Sequence, residues 1–146
     1  MGIRLFSGVG SNLGVEHVAI QTAFGQLVRA KILFWKLGYA VSSTRKARGV
    51  WGKSILMVKE GSASIQLTDS LDSTPVPLNG NHVAIRVEDP KSVALEIQKW
   101  SRAEGLLAGI EEIPKGKYFV VIPGILSIPI ELVPMTISVE GSLGFD

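Results

Sequence analysis

Apolar and polar residues alternate along 15–21, with Val18 and Ile20 on one side and His17, Ala19 and Gln21 on the other, the period-two pattern of a half-buried strand. Over 26–37 the period changes. Leu27, Ala30, Leu33, Phe34 and Leu37 fall at the spacing of one buried helical face, and Gly38 follows as a stop. Strands are then predicted over 39–43, 53–59 and 63–68, with Glu60-Gly61 as the hairpin turn between the last two. The same order recurs further on. A strand over 82–87 precedes a helix over 90–104, with Asp89 as its cap and Pro90 at its first position, and strands follow over 110–113, 118–122 and 128–133. Residues 70–80, with Pro75, Pro77 and Gly80, read as a linker.

The recurrence extends to residue identity. Glu16-His17-Val18-Ala19-Ile20 returns as Asn81-His82-Val83-Ala84-Ile85, and Ile65-Gln66-Leu67 returns as Ile130-Glu131-Leu132, both at an offset of 65 residues. Trp35 maps onto Trp100 at the same offset. The chain is therefore a tandem duplication of a βαβββ unit, 14–69 and 81–134, followed by a tail over 135–146. The expected class is α+β: two units forming a cupped, mixed, mostly antiparallel eight-stranded sheet with the helices outside, in a single domain. Val83, Ile85, Ile130 and Leu132 should pack under the helices, while His82, Ala84, Arg86 and Glu131 line the cup with their counterparts from the first unit.

Composition narrows the possibilities. The chain has 146 residues, 46% apolar and 19% charged, enough for one well-filled core and too apolar for disorder. A net charge of +2 is far from the dense basic stripe of a nucleic-acid binder. With no cysteine, disulfides, thiolate metal sites and cysteine nucleophiles are excluded. The first 14 residues lack the apolar core of a signal peptide, and no apolar run approaches the ~20 residues of a membrane span, so a cytoplasmic protein is expected. Gly8-Val9-Gly10 does not open a dinucleotide loop, Gly52-Lys53-Ser54 lacks the earlier glycine of a phosphate loop, and no serine sits in a nucleophile elbow. Asp72, Glu88, Glu111 and Glu112 read as surface charge.

The only two histidines, His17 and His82, fall at equivalent points of the repeat, with Gln66 and Glu131 at a second pair of equivalent points. A lone strand histidine is ordinarily structural. Four polar groups aimed inward from matched strands gain nothing from a core that leaves them unsatisfied, so a metal site is the sharper reading. Two imidazoles with amide and carboxylate oxygens suit Ni, Co, Mn, Fe or Zn and leave two octahedral positions for water or substrate. The basic run Arg45, Lys46, Arg48 and Lys53 is either a solvated turn or a mouth attracting an anionic substrate, with Trp51 and Arg86 placed to touch that mouth or the cup.

Paired βαβββ units, each with HVAI at its start and IQL or IEL at its end, resemble the vicinal oxygen chelate superfamily over residues 14–134. That group includes glyoxalase I, methylmalonyl-CoA epimerase, extradiol dioxygenases, and fosfomycin and bleomycin resistance proteins. The resemblance implies metal ligands at His17, Gln66, His82 and Glu131, a set most like that of the epimerases. It further implies an isomerase or lyase acting on a small acid or thioester chelated through adjacent oxygens, with Glu131 as base. The epimerases carry a second acid after the first helix, where 44–53 here has only basic residues and no carboxylate. Two alternatives stand beside this reading. One is an Fe(II)-dependent dioxygenase with a His17, His82 and Glu131 triad, and the other is a non-catalytic binding module of the bleomycin-resistance kind. The resembling family and the exposed sheet edges also imply a homodimer.

Overall fold

The computed structural model describes residues 2–11, 13–45, 53–70 and 81–144, and for 43–45 the backbone only. The first unit runs β1 (His17–Gln21), α1 (Leu27–Lys36), β2 (Ala40–Arg45), β3 (Ser54–Val58) and β4 (Ser64–Thr68). The second runs β5 (Val83–Val87), α2 (Pro90–Ala103), β6 (Gly109–Ile113), a 3-10 turn (Pro114–Gly116), β7 (Lys117–Val121) and β8 (Ile130–Pro134), and is followed by α3 (Val139–Leu143). All of the linker after Ser70, residues 71–80, and most of the basic turn, 46–52, lie outside the described residues.

Among the described residues eight strands form as the alternation predicts, arranged as two four-stranded sheets ordered β1-β4-β3-β2 and β5-β8-β7-β6. In each sheet the first and last strands of the unit run parallel and the other pairs antiparallel. The duplication persists in the register. Val18 pairs with Ile65 and Ala19 with Gln66, as Val83 pairs with Ile130 and Ala84 with Glu131. Across the neighbouring antiparallel strand Gln66 opposes Leu56, and Glu131 opposes Phe119.

The helix boundaries follow local chemistry. Gly38, at φ 97°, ends α1, and its N–H bonds the carbonyl of Trp35. The Asp89 carboxylate accepts from the Ser92 N–H at the start of α2, with Pro90 at the first helical position. Ala30, Leu33 and Phe34 of α1, and Ala94 and Ile97 of α2, turn onto the sheets. There they meet Ile20, Met57, Ile65 and Leu67, and Ile85, Val120, Ile130 and Leu132, in one hydrophobic cluster. Each fully buried side chain of this size contributes about 1.5–3 kcal/mol.

The loop 122–129 joins the halves. The Ala23 N–H bonds the Ile125 carbonyl and the Ser127 N–H bonds the Gln21 carbonyl, beside an isolated bridge between Thr22 and Leu126. Ile122, Ile125 and Leu126 are buried beneath these bonds. The outer edges differ. β2 carries a register shift between Val41 and Ser43, whereas β6 is regular and holds two consecutive exposed glutamates, Glu111 and Glu112. The tail holds α3, which the apolar pattern does not predict.

Candidate functional site

Register places Ala84 beside Glu131 and Arg86 beside Val133, so these four share one face of the second sheet with Phe119, which opposes Glu131. That is the face opposite Ile85, Ile130 and Leu132, as the alternation predicts. Glu131 is only 3% exposed. Its Oε2 lies 3.3 Å from His82 Nε2 and its Oε1 lies 3.3 Å from Lys117 Nζ, so one buried carboxylate bridges an imidazole and an ammonium group. The His82 ring stands edge-on to Phe119, centroids 5.5 Å apart at 87°, which fixes its tilt over the sheet. Burial lowers the local dielectric at the Lys117–Glu131 contact and strengthens it, whereas the His82 side chain is 35% exposed.

Lys117 is the residue sequence reasoning missed. The predicted strand began at residue 118, and Lys115-Gly116-Lys117 looks like turn chemistry. Alternation outward from Phe119 would have found it, since a residue two places earlier shares its face. Lys117 also donates to the Ser142 carbonyl, and Lys115 Nζ donates to the Gly141 carbonyl at 2.6 Å. Arg86 donates to the carbonyls of Pro134 and Ile137. The C-terminal segment thus lies against the end of the face that carries Arg86 and Lys117.

The first unit builds a milder version of the same arrangement. Gln66 Nε2 donates to Ser54 Oγ at 3.4 Å. Ser54 stands two residues before Leu56, the residue opposite Gln66, as Lys117 stands two before Phe119, the residue opposite Glu131. The repeat therefore keeps a polar contact at this point, neutral in one copy and charged in the other. His17 lies at the start of β1, its Nδ1 3.1 Å from Glu16 Oε1 and its side chain 46% exposed.

Among the described residues, the sequence-predicted ligands are brought together only in part. His82 and Glu131 meet, and no three His, Asp or Glu side chains are grouped closely enough to hold one ion. The chemistry of the pair, one imidazole and one carboxylate oxygen, fits half of a borderline-metal site. Of the predicted substrate-binding residues, Arg86 is exposed on the cup side and bonded to the C-terminal segment, and Lys53 is exposed. Arg48 and Trp51 lie outside the described residues. A groove of about 600 Å³ between α1 and α2 is lined by Leu33, Val93, Ile97 and Trp100 among others, and contains none of the predicted site residues.

No family model and no curated protein matches the chain. Solved structures do. Glyoxalase I of Leishmania major is 22% identical with a TM-score of 0.61, covering 83% of this chain and 86% of its own. The fosfomycin resistance protein FosX of Listeria monocytogenes, in complex with Mn(II) and dihydroxypropylphosphonic acid, is 13% identical with a TM-score of 0.60, covering 90% and 98%. TnmS3, an antibiotic binding protein from Streptomyces sp. CB03234, is 16% identical with a TM-score of 0.54, covering 83% and 94%. At these identities the likeness establishes a shared fold, that of the glyoxalases and of fosfomycin and bleomycin resistance proteins.

Proposed function

We propose that the chain is a metal-dependent isomerase or lyase acting on a small acid or thioester that presents two adjacent oxygens. The contact of His82 with Glu131 carries this reading, because it joins an imidazole and a buried carboxylate on one face of the second sheet. The likeness to glyoxalase I and to a Mn(II)-bound FosX supports it. His82 and Glu131 would hold the ion from one side, and His17 and Gln66 from the other. Since the first unit's pair stands on its own sheet, a second copy of the chain, its first unit facing this copy's second, would complete the site as a homodimer. Bound there, Ni, Co, Mn, Fe or Zn supplies Lewis acidity toward the substrate oxygens.

The remaining chemistry belongs to the chain. Glu131 accepts the proton from the carbon next to the chelated oxygens, with its carboxylate oriented by His82 and Lys117. Phe119 packs edge-on against His82 and holds the imidazole beside the carboxylate. A second reading, a binding module without catalysis, is favoured by Lys117, which already engages one oxygen of Glu131, and by the likeness to TnmS3.

Elemental analysis of protein purified without a nickel column separates the two. The expected result is near-stoichiometric metal in the wild type, lost in both His82→Ala and His17→Ala, with a dimer by light scattering. No metal in any form, and none taken up on soaking, leaves the binding module. Metal kept by His17→Ala and lost by His82→Ala places the whole site in the second unit.

A further inference from the structure

Among the described residues Glu131 is the only buried acid and Lys117 the only buried base, and they face each other. The two oxygens of the carboxylate have different partners. Oε2 and His82 Nε2 stand 3.3 Å apart. Two donors each about 2.1 Å from one ion lie about 3.0 Å apart at right angles and about 3.4 Å apart at the tetrahedral angle, so this separation suits a shared ion. Oε1 is taken by Lys117 Nζ at 3.3 Å, and Lys117 also donates to the Ser142 carbonyl. Burial and two partners keep the ammonium at its place. The repeat shows what it answers to. At the matching point of the first unit, neutral Gln66 stands in place of the carboxylate and its partner is the Ser54 hydroxyl. The cation comes with the carboxylate.

We infer that Lys117 is a built-in counter-ion that lowers the affinity of the His82–Glu131 pair for a divalent ion and holds Glu131 to one coordinating oxygen. The inference rests on the proposed function for the presence of an ion, and deepens it by naming the residue that sets how tightly the ion is held. An imidazole that ligates is neutral, so the negative charge of Glu131 and the positive charge of Lys117 cancel, and an arriving divalent ion meets no net negative charge. Its repulsion from the ammonium is weakly screened, because Lys117 and Glu131 are buried. Coordination through both oxygens would also require breaking the Lys117 bond to Oε1. Lys117 is thus a positioning residue, acting through Glu131 and never on the ion itself.

Titration of the metal-free full chain with Co(II) at one pH tests this through affinity and the visible spectrum of the bound ion, neither of which needs turnover. Lys117→Gln keeps an N–H donor and removes the charge, and Lys117→Met repeats the test should the amide disturb the fold. Lys117→Arg keeps the charge. The neutral variants should bind Co(II) about tenfold or more tighter than the wild type and change its spectrum, while Lys117→Arg should bind as the wild type does. Adding His82→Ala to Lys117→Gln should abolish the gain. Equal affinity in the wild type and the neutral variants, or a gain that survives His82→Ala, would overturn the inference and leave the metal-dependent reading standing. Co(II) bound by the neutral variants and not by the wild type would do the reverse. No binding in any of them would overturn both.

Discussion

The carboxylate of Glu131 is held from two sides, by His82 at Oε2 and by Lys117 at Oε1. The side chains of Lys117 and Glu131 are 10% and 5% exposed, so solvent screens the pair little and removing one partner strands the other. Glu131→Leu should destabilise the protein by about 3 kcal/mol in urea titration, and adding Lys117→Met should recover most of that loss. Equal losses in the single and double variants would mean that the pair holds no charge balance. Gln66 leaves no stranded charge when altered, because its contact with Ser54 is neutral.

At the scale of elements the two helices make a natural comparison. α2 begins on a capped N-terminus, whereas Gln26 before α1 makes no side-chain cap bond. Asp89→Ala should therefore cost about 1 kcal/mol by chemical denaturation, and Gln26→Ala within about 0.5 kcal/mol of nothing. Most elements were legible because each bears its own period and stop: β5 and β8 through His82-Val83-Ala84-Ile85 and Ile130-Glu131-Leu132, α2 through Asp89-Pro90, the first hairpin through Glu60-Gly61. The pairing of His82 with Glu131 followed from those strands lying side by side in register. Lys117 did not follow, because a lysine next to a glycine at the mouth of a strand looks like turn chemistry until its facing partner is known. Nor did α3, whose five residues are held by lysine-to-carbonyl bonds that leave no apolar period to detect.

In the whole molecule, cohesion between the halves passes through the loop 122–129. Leu126, 2% exposed, sits under the bonds that tie it to β1. Leu126→Ala should cost about 3 kcal/mol and loosen the halves from one another, so that the amides of β1 and β4 exchange by a separate opening from those of β5 and β8. Loss of protection in all four strands together would mean that the halves unfold as one unit regardless of this loop. The Arg29 to Glu104 pair, 3.7 Å apart with both side chains 37% exposed, adds little to that joint. The two outer edges have a further consequence. A regular strand with unpaired backbone groups invites another chain to extend the sheet, and the two sheets resist this by different means: β2 is kinked out of register, while β6 stays straight and carries Glu111 and Glu112, pointing to opposite faces. An incoming strand of like sequence would have to bring its own glutamates against these. Solubility at the β6 edge is thus a matter of charge repulsion and at the β2 edge one of shape, so salt should erode the first protection and leave the second intact.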